Sequence, residues 1–163
     1  MVVDRYGLCI VADKYFIDFP HIHHENNKNQ SRPHYLAIKQ ANNIFWLIPL
    51  NSHPETYAPK IAEGEKRYGH GNHIFHYIAK VRGTDRVFLI GKAIPVTEPY
   101  IVKPFTICGK PFIIEDEKDR KEIQSRLSRY LSMLRTGRLK SEVDVLSIEN
   151  KLLNQMNNSD YLL

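Results

Sequence analysis

The pattern of apolar and polar positions changes period about two-thirds of the way along the chain. Before that point the apolar residues come in short runs bounded by turn-forming residues, as strands do. Leu8-Cys9-Ile10-Val11 is one such run. Asp13 to Phe19 reads as a short helix stopped by Pro20. Residues 21–31 are polar, Asn-rich and aperiodic, and predict a loop. Tyr35 to Lys39 and Ile44 to Leu50 flank Gln40-Ala41-Asn42-Asn43 and predict a hairpin. Both arms are almost continuously apolar, as strands covered on two faces are. Ile74 to Ala79 and Arg86 to Ile90 flank Arg82-Gly83-Thr84-Asp85 as a second hairpin. Ala93 to Val96 continues the sheet, with Pro95 marking an edge or bulge. Between the hairpins, Asn51 to His73 is mostly polar and is assigned no element.

From Glu115 the spacing becomes helical. Ile123, Leu127, Tyr130, Leu131 and Leu134 form one stripe, and Gly137 is placed to end that helix. A second helix begins near Ser141 or Asp144 and carries Val145, Ile148, Leu152 and Leu153, with Asn157 to Asp160 expected to fray. The elements add up to one α+β domain over residues 1–163. Its core is a compact, twisted, antiparallel, barrel-like sheet over about residues 5–115, with a helical part over about 116–156 packed around it.

Composition narrows the class. Among 163 residues, 42% are hydrophobic and 25% charged, which fits a globular domain rather than a disordered or fibrous chain. The longest apolar run, Ile44 to Leu50, is far below the ~20 residues of a membrane span. The N-terminus has no signal-peptide pattern, and Cys9 and Cys108 alone make neither a disulfide framework nor a metal pair. The expectation is a reduced, cytoplasmic protein with no membrane contact.

Charge adds a candidate partner. The chain has 23 Lys and Arg against 18 Asp and Glu, a net charge of +5. Lys118, Arg120, Lys121, Arg126, Arg129, Arg135, Arg138 and Lys140 outnumber Glu117, Asp119 and Glu122 in one stretch. That stretch reads either as a phosphate-facing surface or as a solvated helix face. The eight histidines are expected to strengthen the pull on polyanions as pH falls.

The polar triplet Asn51-Ser52-His53 leaves a strongly apolar strand, and Arg32-Pro33 enters the strand before it. If the two strands pair as a hairpin, Arg32 and Ser52 share one end of the sheet, where a guanidinium beside a hydroxyl can grip a phosphate. The same residues also read as a capped strand end and a surface arginine. Tyr57 and Tyr68 lie near Lys60, Lys66 and Arg67 and are candidate stacking platforms for unpaired bases, whereas Trp46 belongs to the core. His21-Ile22-His23-His24 reads as a metal cluster or, with Lys28, as a basic RNA-facing loop. No Cys pair or HExxH helix completes a metal set. His70, His73 and His76 are scattered along a Gly-rich stretch, and His76 reads as a core or rim residue. No GxxxxGK[ST], GxGxxG or GxSxG is present.

Four segments resemble a known family. They are Asp13-Lys14-Tyr15-Phe16; Arg32-Pro33 with its strand; Ile48-Pro49-Leu50-Asn51-Ser52; and Phe88-Leu89-Ile90-Gly91-Lys92-Ala93-Ile94-Pro95-Val96. In order and spacing they are similar to the endoribonuclease toxins of type III toxin–antitoxin systems, the ToxN/AbiQ/CptN family, with the likeness strongest to the CptN branch. The resemblance implies a fold related to the MazF/Kid barrels and cleavage of single-stranded RNA without metal or cofactor. In that chemistry the 2′-hydroxyl attacks the adjacent phosphate and leaves 2′,3′-cyclic phosphate and 5′-hydroxyl ends.

Carried over residue by residue, Tyr15 matches the family's active-site tyrosine, Ser52 its serine, Asn51 the preceding hydroxyl position, and Arg32 an Arg-Pro of some members. Where the family often has Pro-Lys after its serine, this chain has His53-Pro54-Glu55. Lys60 is therefore the candidate cation, and His53 reads as a candidate acid or base or as a plain loop residue. The resemblance also implies inhibition by a repeated pseudoknot RNA and a closed ring of RNA and protein. His23, His24, Lys28, Tyr57, Lys66, Arg67, Arg126 and Arg129 are the expected RNA contacts. Two rival readings are a non-catalytic RNA- or DNA-binding barrel and a metal-dependent hydrolase built on the His21 to His24 cluster.

Overall fold

The protein is described by a computed structural model covering residues 4–22 and 30–161, with the backbone alone for 159–161. The strands are β1 (Leu8–Val11), β2 (Pro33–Lys39), β3 (Phe45–Asn51), β4 (Tyr77–Val81), β5 (Thr84–Phe88), β6 (Ile94–Val96) and β7 (Ile101–Pro104), followed by a small β8–β9 ribbon (Thr106–Ile107, Lys110–Pro111). The helices are α1 (Asp13–Asp18), α2 (Pro54–Tyr68), α3 (Glu117–Arg135) and α4 (Val145–Tyr161).

The main sheet is antiparallel in the order β4-β5-β3-β2-β1-β7, and β6 lies beside the first half of β3. Its two edges, β4 and β7, do not meet among the described residues, so the sheet is open and closure of the expected barrel-like core is not seen. The outer edge of β3 is shared, Phe45 to Leu47 pairing with β6 and Leu50 to Asn51 with β5.

Both expected hairpins form. In the second, Arg82 (φ 55°) and Gly83 (φ 76°) both occupy the left-handed region, and this two-residue turn lets the strands run further than their apolar runs suggest. In α3 the expected stripe is buried, Asp116 caps the first turn by accepting from the Asp119 N–H at 3.2 Å, and Gly137 follows with φ 75°. Asp144 Oδ1 accepts from Ser147 N at the start of α4, and the helix continues to Tyr161 where fraying was expected.

α1 is held by its aromatic residues. Tyr15 is fully buried, with ring centroids 5.3 Å from both Phe16 and Tyr100 and 5.0 Å from Phe19. Its hydroxyl donates to Pro95 O at 2.6 Å. Tyr15, matched above to the family's active-site tyrosine, is therefore a core residue here, with its ring enclosed and its hydroxyl spent on a β6 carbonyl. Tyr15→Phe leaves that carbonyl without its donor and is expected to lower the unfolding free energy by about 1–2 kcal/mol at an unchanged urea m-value. A midpoint indistinguishable from wild type would show that the hydroxyl is not part of the fold.

Candidate functional site

The β2–β3 register, with His34 opposite Pro49 and Tyr35 opposite Ile48, brings Arg32 to the end of the sheet from which Asn51, Ser52 and His53 leave β3. Arg32 is buried, and its Nε donates to Leu50 O at 3.0 Å. Burial lowers its pKa, but a guanidinium stays charged at any physiological pH. The neighbouring His34 gives way instead. Burial pushes His34 down to about 4, opposed by its bond to Arg32 O and reinforced by the Arg32 charge. The neutral ring donates Nδ1–H to Arg32 O at 3.2 Å.

Asn51 Oδ1 accepts from His53 N at 2.8 Å and so shapes the turn into α2. Ser52 is exposed, and its hydroxyl has no protein hydrogen-bond partner among the described residues. His53 is exposed as well, with Nδ1 3.2 Å from Glu55 Oε1. Pro54 then occupies the first position of α2, where its missing N–H is harmless.

α2 is the element missing from the sequence reading, and it completes the site. Gly64 is its one buried residue, and the His73 ring packs against it so closely that a Cβ there would stand 2.0 Å from His73 Nδ1. His73 Nε2 lies 2.9 Å from His76 Nδ1, and the two rings stack with 14° between their planes. The Tyr57 ring is 5.0 Å from His76, and Lys60 Nζ is 5.2 Å from the Tyr57 centroid. Burial, then the charges of His73, Lys60 and Lys92, push His76 down to about 4. Burial and Arg126 likewise lower His73. A cavity of about 80 Å³ is lined by Arg32, His34, Pro49, Lys92, Ile94 and Val143.

The other expected residues fall in different places. Arg126 and Arg129, the expected phosphate contacts, both bond within the protein, and Arg129 stays half-exposed. Arg126 is buried, donates to His73 O and pairs with Glu122 Oε2 at 3.3 Å, while Arg129 donates to Gly71 O at 2.9 Å. Arg120 lies over the Tyr6 ring and Arg135 pairs with Glu149, so most arginines of the basic stretch tether the fold. Lys66 and Arg67 are exposed near the end of α2, with Arg67 5.5 Å from the centroid of Tyr68. His23, His24 and Lys28 lie outside the described residues, as does much of the loop carrying the proposed metal cluster. Among the described residues no helix is long and apolar enough to cross a membrane.

No protein-family model matches the chain, and no curated protein matches its sequence. Its structure is similar to that of AbiQ, a lactococcal anti-phage endoribonuclease belonging to the type III toxin–antitoxin system. The TM-score is 0.62 at 14% identity, over 91% of this chain and 98% of that one. At that identity the likeness is one of fold.

Two measurements check this geometry. His34 stays neutral in the folded protein to about pH 4, whereas in the unfolded chain it takes up a proton below 6.5. The unfolded state binds more protons between those values, so stability is complete above the upper one and falls toward the lower, by on the order of 3 kcal/mol. Urea unfolding at stepped pH is expected to give a flatter acid limb for His34→Gln, and equal slopes in the two proteins would contradict the assignment. Gly64→Ala, which ordinarily favours a helix by about 1 kcal/mol, is expected instead to destabilise by about 1–3 kcal/mol because His73 must move. Thermal unfolding reads that sign directly.

Proposed function

We propose that this chain is an endoribonuclease toxin of a type III toxin–antitoxin system, cutting single-stranded RNA without metal. The observation that supports the reading is that Arg32 and Ser52 share the end of the sheet where β3 hands over to α2, the helix that carries Tyr57 and Lys60. The fold shared with AbiQ supports it. So do the four sequence segments, on which the CptN-branch likeness also rests.

In this reading the ribose 2′-oxygen attacks phosphorus, the bond to the 5′-oxygen breaks, and a cyclic phosphate and a 5′-hydroxyl remain. Arg32, Lys60 and Lys92 offset the charge that builds on the phosphorane, and the Ser52 hydroxyl and His53 ring hydrogen-bond the reacting oxygens. Asn51 holds the turn that presents them. Tyr57 offers a face for a base to stack on, and Lys66, Arg67 and Tyr68 extend the track along α2. An antitoxin RNA, a pseudoknot repeat, occupies the same groove and bridges neighbouring copies into a closed RNA–protein ring in the cytoplasm.

The test uses purified protein stripped of RNA, a long single-stranded RNA and excess EDTA, with Ser52→Ala beside it. Discrete cuts bearing cyclic-phosphate ends are expected from the wild type. The variant is expected to lose about 100-fold or more in rate while keeping its RNA affinity. RNA that is bound but left intact by the folded wild type would favour a non-catalytic binding module, and cuts that appear only when metal is restored would favour a metal-dependent enzyme.

A further inference from the structure

Two histidines in contact within a cationic pocket require an assignment of protons, and the packing decides it. His73 Nδ1 is buried with no hydrogen-bond partner, pressed against Gly64 of α2. An N–H at that position is a buried donor with nothing to bind, whereas a lone pair facing a Cα–H is the less costly choice. The proton of neutral His73 therefore sits on Nε2, and His76 Nδ1, 2.9 Å away, accepts it. His76, also neutral, then carries its own proton on Nε2. That atom has no protein partner among the described residues, and the ring is only half-buried.

The groups acting on His76 come from every element packed around it. Lys60 and Tyr57 face it from α2, and Lys92 from the 3₁₀ turn Ile90–Lys92. Arg126 of α3 and Glu65 of α2 act on His73 behind it. Two cations, Lys60 and Lys92, act on His76 and no carboxylate does, which makes this a place for an anion.

We propose that His76 binds a backbone phosphate of RNA as a neutral Nε2–H donor, held in that tautomer by His73. The phosphate contact stands on the geometry alone, while its part in turnover rests on the nuclease reading above. No proton passes through His76. As the 2′-oxygen bonds to phosphorus and the 5′-oxygen leaves, the added charge on a non-bridging oxygen is met by the Nε2–H dipole. The 2′-hydroxyl proton and the proton gained by the 5′-oxygen move through other groups at the Ser52 and His53 end. His76 is thus a catalytic residue in this reading and His73 a positioning residue.

The test begins with long-range ¹H–¹⁵N spectra of the full chain at neutral pH. His76 is expected to appear with Nδ1 unprotonated and Nε2 protonated. The Nε2–H resonance is expected to shift when a mixed-sequence 2′-O-methyl RNA oligonucleotide, which keeps its phosphates but cannot be cleaved, is added. In cleavage assays His76→Ala and His73→Phe are each expected to slow cutting about 100-fold. His73→Gln, whose amide supplies an N–H in place of Nε2–H, is expected to restore most of the tautomer and of the rate.

An Nδ1-protonated His76, or an Nε2–H unmoved in protein saturated with the oligonucleotide, overturns the inference even if the wild type cuts RNA. A shifted Nε2–H in a protein that cuts nothing upholds the phosphate contact and removes the nuclease reading. Failure of the oligonucleotide to bind removes both.

Discussion

The fold depends on β3 being occupied on both edges and both faces. β2 lies along one edge, β6 and then β5 along the other, and every residue from Phe45 to Leu50 is buried. Such a strand cannot slip by one residue without turning every side chain to the wrong face. Pro49 is tolerated within it for a reason the pairing supplies. On the outer edge, β6 ends opposite Leu47 and β5 begins opposite Leu50, so no strand faces Pro49 there. Its carbonyl on that side accepts from Leu89 N at 3.0 Å, and its missing N–H points into the same gap. The end of β3 is consequently a firmly placed point, and Ser52 and α2 start from it.

α3 holds the other half of the site from behind. Arg126, Arg129 and Tyr130 share one helical face, and their polar groups reach His73 O, Gly71 O and Gly91 O. Those carbonyls belong to the segments that carry His73, His76 and Lys92. A buried guanidinium is costly unless its donors are satisfied, and Arg126 divides its donors between the His73 carbonyl and the Glu122 carboxylate on its own helix. Tyr77 contributes the matching tie on β4, its hydroxyl donating to Asp119 Oδ1 at 2.8 Å. Arg126 and Arg129 of the basic stretch therefore support the site through structure.

Much of this was legible in the sequence. β1, α1, both hairpins and the stripes of α3 and α4 follow from apolar runs and their period, and the hairpin alone places Arg32 with Ser52. α2 was not legible, because its prolines at 54 and 59 mimic a loop and it buries only Gly64, leaving no apolar stripe to detect. The packing signal was a glycine facing a histidine some residues later, which no periodicity records. Tyr15 misled because its hydroxyl partner, Pro95, is 80 residues away in sequence. His76 reads from the sequence as a core or rim residue because its neighbours, Tyr57, Lys60 and Lys92, come together only in three dimensions. The open sheet escaped notice for a related reason: strand runs report pairing partners poorly and closure not at all.

The histidines also change the expected role of pH. Eight of them in a basic chain suggest a surface whose grip on polyanions tightens on acidification. The three at the core of the site behave otherwise. His34 and His76 are held near 4 and His73 is lowered, in each case chiefly by burial. In the proposed reading the positive charge offered to a phosphate then comes from Arg32, Lys60 and Lys92 rather than from these rings. These three imidazoles serve as neutral hydrogen-bonding groups. A site arranged in this way recognises an anion by fixed charge and directed N–H groups, with no need of a proton from solvent to complete it.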